Sequence, residues 1–291
     1  MNKLKQGGYL SMKVGNTPLI KIKYKYNNKE KYVYSKLESY NLTGSIKDRV
    51  AYYIIKSAYE NKKLEKGKEI LMKMYNAKIT LISKEEGGFK KAISEAIKYA
   101  NENNAFLSNQ FENEDNVLAH YETTGKEIVE KLKSNIGGFV SEIGTGGSLM
   151  GVAKRLKEEN KEVKIYALEP DKMPLLSKNE IIGNHKIGGI GDDFIPKIVD
   201  KEKIDKVILI NDEDAINMSR KIATELGIGV GISSGANMIA SVLAKEENEG
   251  NIVTVFPDDN KKYLSTELSK PIDKNEEFIS NKIELLDYEF V

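Results

Sequence analysis

The chain has 291 residues, no cysteine, and 45 basic against 44 acidic side chains. That length excludes a single small module and allows one large domain or two interleaved ones. Balanced charge leaves no global field to steer nucleic acid or an anionic membrane, and the absence of thiols excludes disulfides, thiolate metal sites and cysteine nucleophiles.

Small molecules are therefore the expected partners. The opening segment MNKLKQGGYLSMKVGNTPLI lacks an apolar h-region and no apolar run reaches a membrane span, which predicts a soluble, cytoplasmic protein. Further along, VYSKLE reads as a strand, and Thr43-Gly44-Ser45-Ile46-Lys47-Asp48-Arg49 leads into the helical run AYYIIKSAYENKK. A lysine at a helix start sits beside unsatisfied N–H groups and the positive dipole end, which disfavours its ammonium form and makes a nucleophilic amine near neutral pH. Taken alone, Lys47 reads equally as an ordinary exposed lysine of a first helical turn. KITLI follows as a strand and GFKKAISEAIKYANEN as an amphipathic helix.

GGFVSEI, Gly144-Thr145-Gly146-Gly147-Ser148 and LMGVAKRLKEEN then form a strand, a glycine-rich turn and a helix. Backbone N–H groups converging at such a helix start, with the hydroxyls of Thr145 and Ser148, make a phosphate cradle; the alternative is a tight turn and nothing more. No Gly-Lys-Ser/Thr ending follows, so this is not a P-loop. Leu149 occupies the third glycine position of a dinucleotide fingerprint, so a single phosphate is expected. VKIYALE, KVILI and NIVTVF complete an alternation of strands and helices that predicts an α/β fold with a mainly parallel sheet, buried on both faces. The glycine-rich turns GTGGS, GGIGDD and GIGVGISSGAN fall at strand carboxyl ends, where such sheets open their ligand crevices. In the last of these, Ser233 either caps the following helix or contacts a ring through the close approach that Gly231, Gly235 and Ala236 permit. The closing segment DKNEEFISNKIELLDYEFV is read as a terminal helix or a dimer arm. His120 and His185 lie far apart with no two-ligand spacing, so no metal site is expected.

Taken together, GNTPL at 15–19, KLES-N-TGSIKDR at 36–49, FLSNQFEN at 106–113, HYETTGKEI at 120–128, EIGTGGSLMGVAKRLKE at 142–158, GGIG at 188–191, GISSGAN at 231–237 and VTVFPDD at 253–259 resemble successive landmarks of the cysteine synthase (O-acetylserine sulfhydrylase) family, which is related to cystathionine β-synthase. The resemblance runs in order along nearly the whole chain. It implies a fold-type-II pyridoxal 5'-phosphate enzyme, tryptophan synthase β-like, with two α/β domains of mainly parallel sheet and a homodimeric assembly. Residues 1–35 and 130–291 would form the larger, cofactor-phosphate-binding domain, and 36–129 a smaller, mobile substrate domain. Lys47 matches the lysine that holds the cofactor as a Schiff base and later moves the substrate's α-proton. Gly144, Thr145, Gly146, Gly147 and Ser148 match the phosphate loop, Ser233 the serine facing the pyridine nitrogen, and Gln110 and Gly189 positions near the substrate. A neutral serine at that nitrogen weakens the electron sink, which favours elimination at Cβ over transamination.

Two departures stand out. The family carries an asparagine loop of the Thr-Ser-Gly-Asn-Thr-Gly type where Ile70 here runs directly into Leu71, and about forty residues are absent, more than a minimal strand-crossover-strand unit. The smaller domain is thus expected to be truncated, with weakened grip on the substrate carboxylate. The second is the pair Asp192 and Asp193, which stand where the family has small neutral residues. A carboxylate of raised pKa there would disfavour hydrosulfide and act as general base toward water, whereas the plainer reading makes both aspartates solvated turn residues.

The expected activity is β-elimination or β-replacement on cysteine, serine or an O-activated serine, with L-cysteine breakdown to hydrogen sulfide and L-serine preferred. The close rival is synthesis of cysteine from O-acetylserine and sulfide. From another class comes a cofactor-binding but non-catalytic regulatory or scaffolding protein, which the missing loop favours.

Overall fold

β1 (Leu19–Tyr26) alternates apolar residues with lysines, so Ile20, Ile22 and Tyr24 bury one face and leave the lysines on the other. It pairs antiparallel with β2 (Lys29–Leu37) through a two-residue turn in which Asn27 and Asn28 both take left-handed φ, 50° and 61°, the conformation that matches strand twist. The remaining strands are β3 (Ile136–Glu142), β4 (Lys164–Pro170), β5 (Lys206–Ile210), β6 (Asn251–Phe256) and β7 (Glu284–Phe290). The helices are α1 (Lys47–Glu60), α2 (Gly88–Asn103), α3 (Glu114–Ala119), α4 (Lys126–Leu132), α5 (Gly147–Glu159), α6 (Leu175–Lys178), α7 (Asp212–Leu226), α8 (Ile232–Glu246) and α9 (Ile279–Lys282). These elements come from a computed structural model that describes residues 14–61, 80, 82–83, 85–133, 135–271 and 275–291.

One sheet runs β5-β4-β3-β6-β2-β1-β7. Its β2–β6, β6–β3, β3–β4 and β4–β5 pairings are parallel, and β1–β2 and β1–β7 antiparallel. Neighbouring residues of the central strands serve opposite cores, as an almost wholly apolar strand must. Val140, Ile252 and Phe256 pack with Ile216, Ile222 and Ile239 of α7 and α8. Phe139, Val253 and Val255 pack with Leu149, Val152 and Leu156 of α5 and Ile128 of α4.

From β3 the chain steps outward through β4 to β5, then returns to β6 on β3's other side. A crevice therefore opens at the carboxyl ends of β3 and β6, the usual ligand position in a sheet whose order reverses.

Two sequence expectations change. The terminal segment is not a continuous helix; after the short α9 it becomes β7, paired with β1 from Ile20↔Phe290 to Lys25↔Glu284. Covering the exposed edge of β1 satisfies a row of backbone groups that a terminal helix would leave open. Of KITLI at 78–82, Thr80 and Ile82 are described and neither lies in a strand. The Ile70–Leu71 junction lies outside the described residues.

Between α3 and α4 the helical path widens into a π-helical stretch, His120–Gly125. Such insertions often flank functional sites. His120 is buried there, its Nδ1 2.9 Å from Thr124 Oγ1. Burial, with the Arg49 charge behind it, presses its pKa down to about 3, so the ring stays neutral.

Candidate active site

The segment joining β2 to α1 is anchored to the end of β6. Ile46 N donates to Pro257 O at 2.8 Å, and Ser45 forms a β-bridge with Asp258. Thr43 closes the turn with Asp48, donating through its backbone N (2.7 Å) and its Oγ1 (2.6 Å) to the carboxylate. Lys47 is the first residue of α1 and is exposed. Desolvation by the surrounding protein lowers the pKa of its amine, while Glu142 and Asp192 push it back up.

On the far side of the crevice, β3 ends at Glu142 and turns through Gly144–Ser148 into α5. Gly146 takes a left-handed φ of 86°, and a Cβ on Gly144 would run into the carbonyl of Gly189, so both positions need a bare backbone. The turn presents the first N–H groups of α5, an anion site by geometry and dipole. Thr145 Oγ1 accepts from Asn116 Nδ2 at 2.9 Å, and the same amide donates to Gln110 O at 2.8 Å. Asn116 thus ties the Gln110 segment to the phosphate loop.

Ser233 and Ser234 are buried in the first turn of α8. Gly231, which precedes the helix, donates through its N to Asp258 O at 3.1 Å. Asp258 is itself buried; Tyr263 OH donates to its Oδ2 at 3.0 Å, and desolvation raises its pKa. Asn237, one turn below Ser233, donates through Nδ2 to Glu142 Oε2 and to Val255 O.

The two aspartates of the 188–193 turn separate. Gly189 and Gly191 take φ of 83° and 65°, and His185 Nε2 lies 3.0 Å from Gly191 O. Asp192 acts electrostatically on Lys47 and lines a cavity of about 30 Å³ with Gly144, Gly191 and Phe194. Asp193 turns outward and pairs with Lys90 of α2 at 2.9 Å. Lys47, the phosphate loop, Gln110, Gly189, Ser233 and Asp192 therefore surround one crevice, and Asp193 does not.

Sequence reading missed Asn116, Glu142 and Asp258. Glu142 and Asp258 lie inside quoted motifs and Asn116 between two of them, but their partners are set by the fold. A second groove of about 630 Å³ lies at the opposite, amino-terminal edge of the strands, lined by Lys164, Asp205, Lys206 and Glu247. Two ion pairs cross its lining, Lys164 with Asp205 at 3.1 Å and Lys206 with Glu247 at 2.6 Å. Among the described residues no group of three or more His, Asp or Glu is arranged to hold a metal.

The crevice fits a phosphorylated aromatic aldehyde. It has an amine, a helix start for the phosphate, and three buried polar atoms without partners: Asn116 Oδ1, Ser234 Oγ and Asp258 Oδ1. Unpaired buried groups of this kind cost about 1–3 kcal/mol each, which a polar ligand relieves.

Comparison with known proteins agrees with this chemistry. The family model described as pyridoxal-phosphate dependent enzyme matches residues 10–70 and 59–258. Cysteine synthase B of Campylobacter jejuni is 37% identical over 294 residues, covering 88% of this chain and 96% of the relative. Those 294 positions exceed 88% of 291 residues, so the relative carries residues that this chain lacks. The hydrogen sulfide-producing enzyme of Fusobacterium nucleatum superposes with a TM-score of 0.91 at 39% identity, covering 99% of this chain and 100% of the other. An Asp-to-Asn variant of that enzyme, in complex with an α-aminoacrylate intermediate, superposes with a TM-score of 0.92. The fold is thus that of fold-type-II enzymes, and no helix among the described residues is long and apolar enough to cross a membrane. This chain belongs to the pyridoxal-phosphate-dependent enzyme family, among its cysteine synthases, and pyridoxal 5'-phosphate is its cofactor.

Proposed function

We propose that this enzyme breaks down L-cysteine, releasing hydrogen sulfide while water adds at Cβ to give L-serine. The observation that carries this reading is Asp192. Its carboxylate acts on Lys47 and lines a cavity of about 30 Å³ beside Gly144, space enough for a water molecule. The superposing sulfide-producing enzyme adds weight.

The cofactor supplies an electron sink for the pair left when the substrate's Cα–H bond breaks. The protein's part is to hold and move protons. The first N–H groups of α5, with Thr145 and Ser148, would hold the cofactor phosphate, and Ser233 would offer a neutral hydroxyl to the ring nitrogen. Nζ of Lys47 takes the proton from Cα and returns it there. The Cβ–S bond breaks and sulfur leaves as hydrosulfide; Asp192 takes a proton from the water that attacks Cβ and gives it up to the departing hydrosulfide, and its charge disfavours hydrosulfide as the competing nucleophile. Asp193, held by Lys90 at 2.9 Å, is left out of the chemistry.

Asp192→Asn tests this assignment. Serine formation from cysteine should fall about 10²-fold or more, the usual worth of a general base, while sulfide is still released in a first turnover. Undiminished steady serine production would sink the assignment. The rival, cysteine synthesis from O-acetylserine and sulfide, is favoured by the Campylobacter relative; under it the Asn variant gains cysteine-forming activity rather than losing a function.

The same reading divides the chain into a larger domain, 1–35 and 130–291, and a smaller mobile one, 36–129. Helix α2 supports this division, since none of its residues is buried. Its attachments include Lys90–Asp193 and the edge-to-face contact of Phe89 with Phe111 at 6.1 Å. A homodimer working in the cytoplasm completes the proposal, on the strength of the family resemblance and the absence of cysteine.

A further inference from the structure

Glu142 is the last residue of β3, directly before the phosphate loop, and only 7% of its surface is exposed. A carboxyl so placed needs an account, because burying a charge without a partner is costly. Its Oε2 accepts from Asn237 Nδ2, and Ser141 Oγ lies 3.4 Å away. Among the described residues it has no ion pair with a cation, and the cation that acts on it electrostatically is Lys47.

We propose that Glu142 is a positioning residue that acts through Lys47, supplying the negative charge that stabilises a proton on Nζ. The proposal rests on the assignment of Lys47 as the residue that binds the cofactor and takes the α-proton.

The geometry supports it from both sides. Glu142 ends β3, and the turn before Lys47 is held to the end of the neighbouring β6 by the Ile46 N–Pro257 O bond and the Ser45–Asp258 bridge; Asn237 of α8 holds the carboxylate by a hydrogen bond that favours its charged form. Desolvation pushes the Glu142 pKa up and the Lys47 pKa down, and each charge opposes the shift of the other. Opposite charges on the two groups therefore stabilise each other. Other charged or titratable groups around them are Asp258 and Tyr263 beyond β6, Lys262 3.6 Å from Asp258, and Asp192 in the 188–193 turn. Asp258 opposes ionisation of Glu142, and Asp192 supports Lys47 after Glu142 does.

The consequence is specific. When Nζ takes the substrate's α-proton, the C–H bond breaks, its electron pair stays with the substrate and cofactor, and the new N–H bond leaves Nζ positive. Where the protein desolvates the amine, an opposite charge nearby is worth more than in solvent. Glu142 thus raises the proton affinity of Lys47, which burial alone would leave a weak base.

The test uses the loaded full-length protein and Glu142→Gln, which keeps an acceptor for Asn237 but cannot carry charge. The visible band of the Lys47–cofactor imine is titrated with pH, and α-proton exchange of an amino acid in D2O is followed by NMR. The band's midpoint should fall by about one pH unit or more, as for loss of an opposite charge close by. Exchange should slow roughly tenfold or more. Asn237→Ala, which removes the bond favouring the carboxylate, should move the midpoint the same way by less and keeps the question answerable if the Gln variant does not fold. Unmoved midpoints, with borohydride still fixing cofactor on Lys47, overturn this inference and leave the Lys47 assignment standing. Failure of borohydride to label Lys47 in the unaltered protein overturns that assignment and this inference with it.

Discussion

Replacing Lys47 by alanine should leave a protein that still takes up pyridoxal phosphate but no longer fixes it to the chain. Borohydride treatment followed by mass measurement should add one cofactor at Lys47 in the unaltered protein and none in the variant. The phosphate anchors, Gly144–Ser148 at the start of α5, stand on β3 and do not depend on α1, so cofactor retention after dialysis should persist. Turnover of cysteine should drop by about 10²–10⁴-fold for the lost base alone, and further because the amine no longer orients the cofactor. Covalent labelling that survives the substitution would show another lysine to be the attachment point. Among the described residues Lys47 combines a helix start with the electrostatic influence of both Glu142 and Asp192.

What made Lys47 legible in advance was local. A glycine-containing turn after a strand and before a helix places a lysine at a helix start whatever the rest of the chain does, and the glycine spacing of GTGGS reports a phosphate turn in the same way. The features that escaped were those made by distant parts of the chain. Asn116 reaches Thr145 across 29 residues, and nothing in FENEDNVLAH marks which asparagine will do so. Glu142 reads as a polar residue closing an apolar strand; its burial exists only once α8 and the β2–α1 turn pack over it. Asp192 and Asp193 are adjacent, and their opposite directions follow from the left-handed φ of Gly189 and Gly191, which composition does not encode. The misread terminal segment has a similar cause. ELLDYEF carries weak alternation, and the unpaired edge of β1 decides its form.

Replacing Arg49 by alanine is expected to destabilise the fold by about 3–5 kcal/mol, the usual cost of stripping one partner from a buried ion pair. Arg49 lies two residues beyond Lys47, with its side chain fully enclosed. Its Nε donates to Glu38 Oε2 at 2.6 Å, its Nη1 to Glu127 Oε1 at 2.7 Å, and its Nη2 to Glu38 Oε1, Glu127 Oε2 and Thr17 Oγ1 at 2.8–3.0 Å. Lys36 adds a second cation, 2.7 Å from Glu127. The cluster ties the end of β2 and the first turn of α1 to α4, so losing the guanidinium leaves Glu38 buried without a cation in contact. In urea, the midpoint should fall accordingly. Arg49→Lys should recover only part, because an ammonium cannot reproduce the five-bond fork. The double variant Glu38→Gln/Arg49→Met should be markedly more stable than Arg49→Ala, since it removes charge and partner together. Acid provides an independent check. Desolvation would raise the pKa of Glu127, but the Arg49 hydrogen bond and charge outweigh it and hold the group at about 2. A carboxylate whose folded pKa is depressed adds stability above its unfolded value, and that stability is lost as pH falls through the folded one. The intact protein should therefore lose stability steeply between roughly pH 4.5 and pH 2, and Arg49→Ala should show a shallower loss across that window, having already lost the interaction that acid removes. An equally steep acid transition in the variant would place the origin of acid unfolding elsewhere.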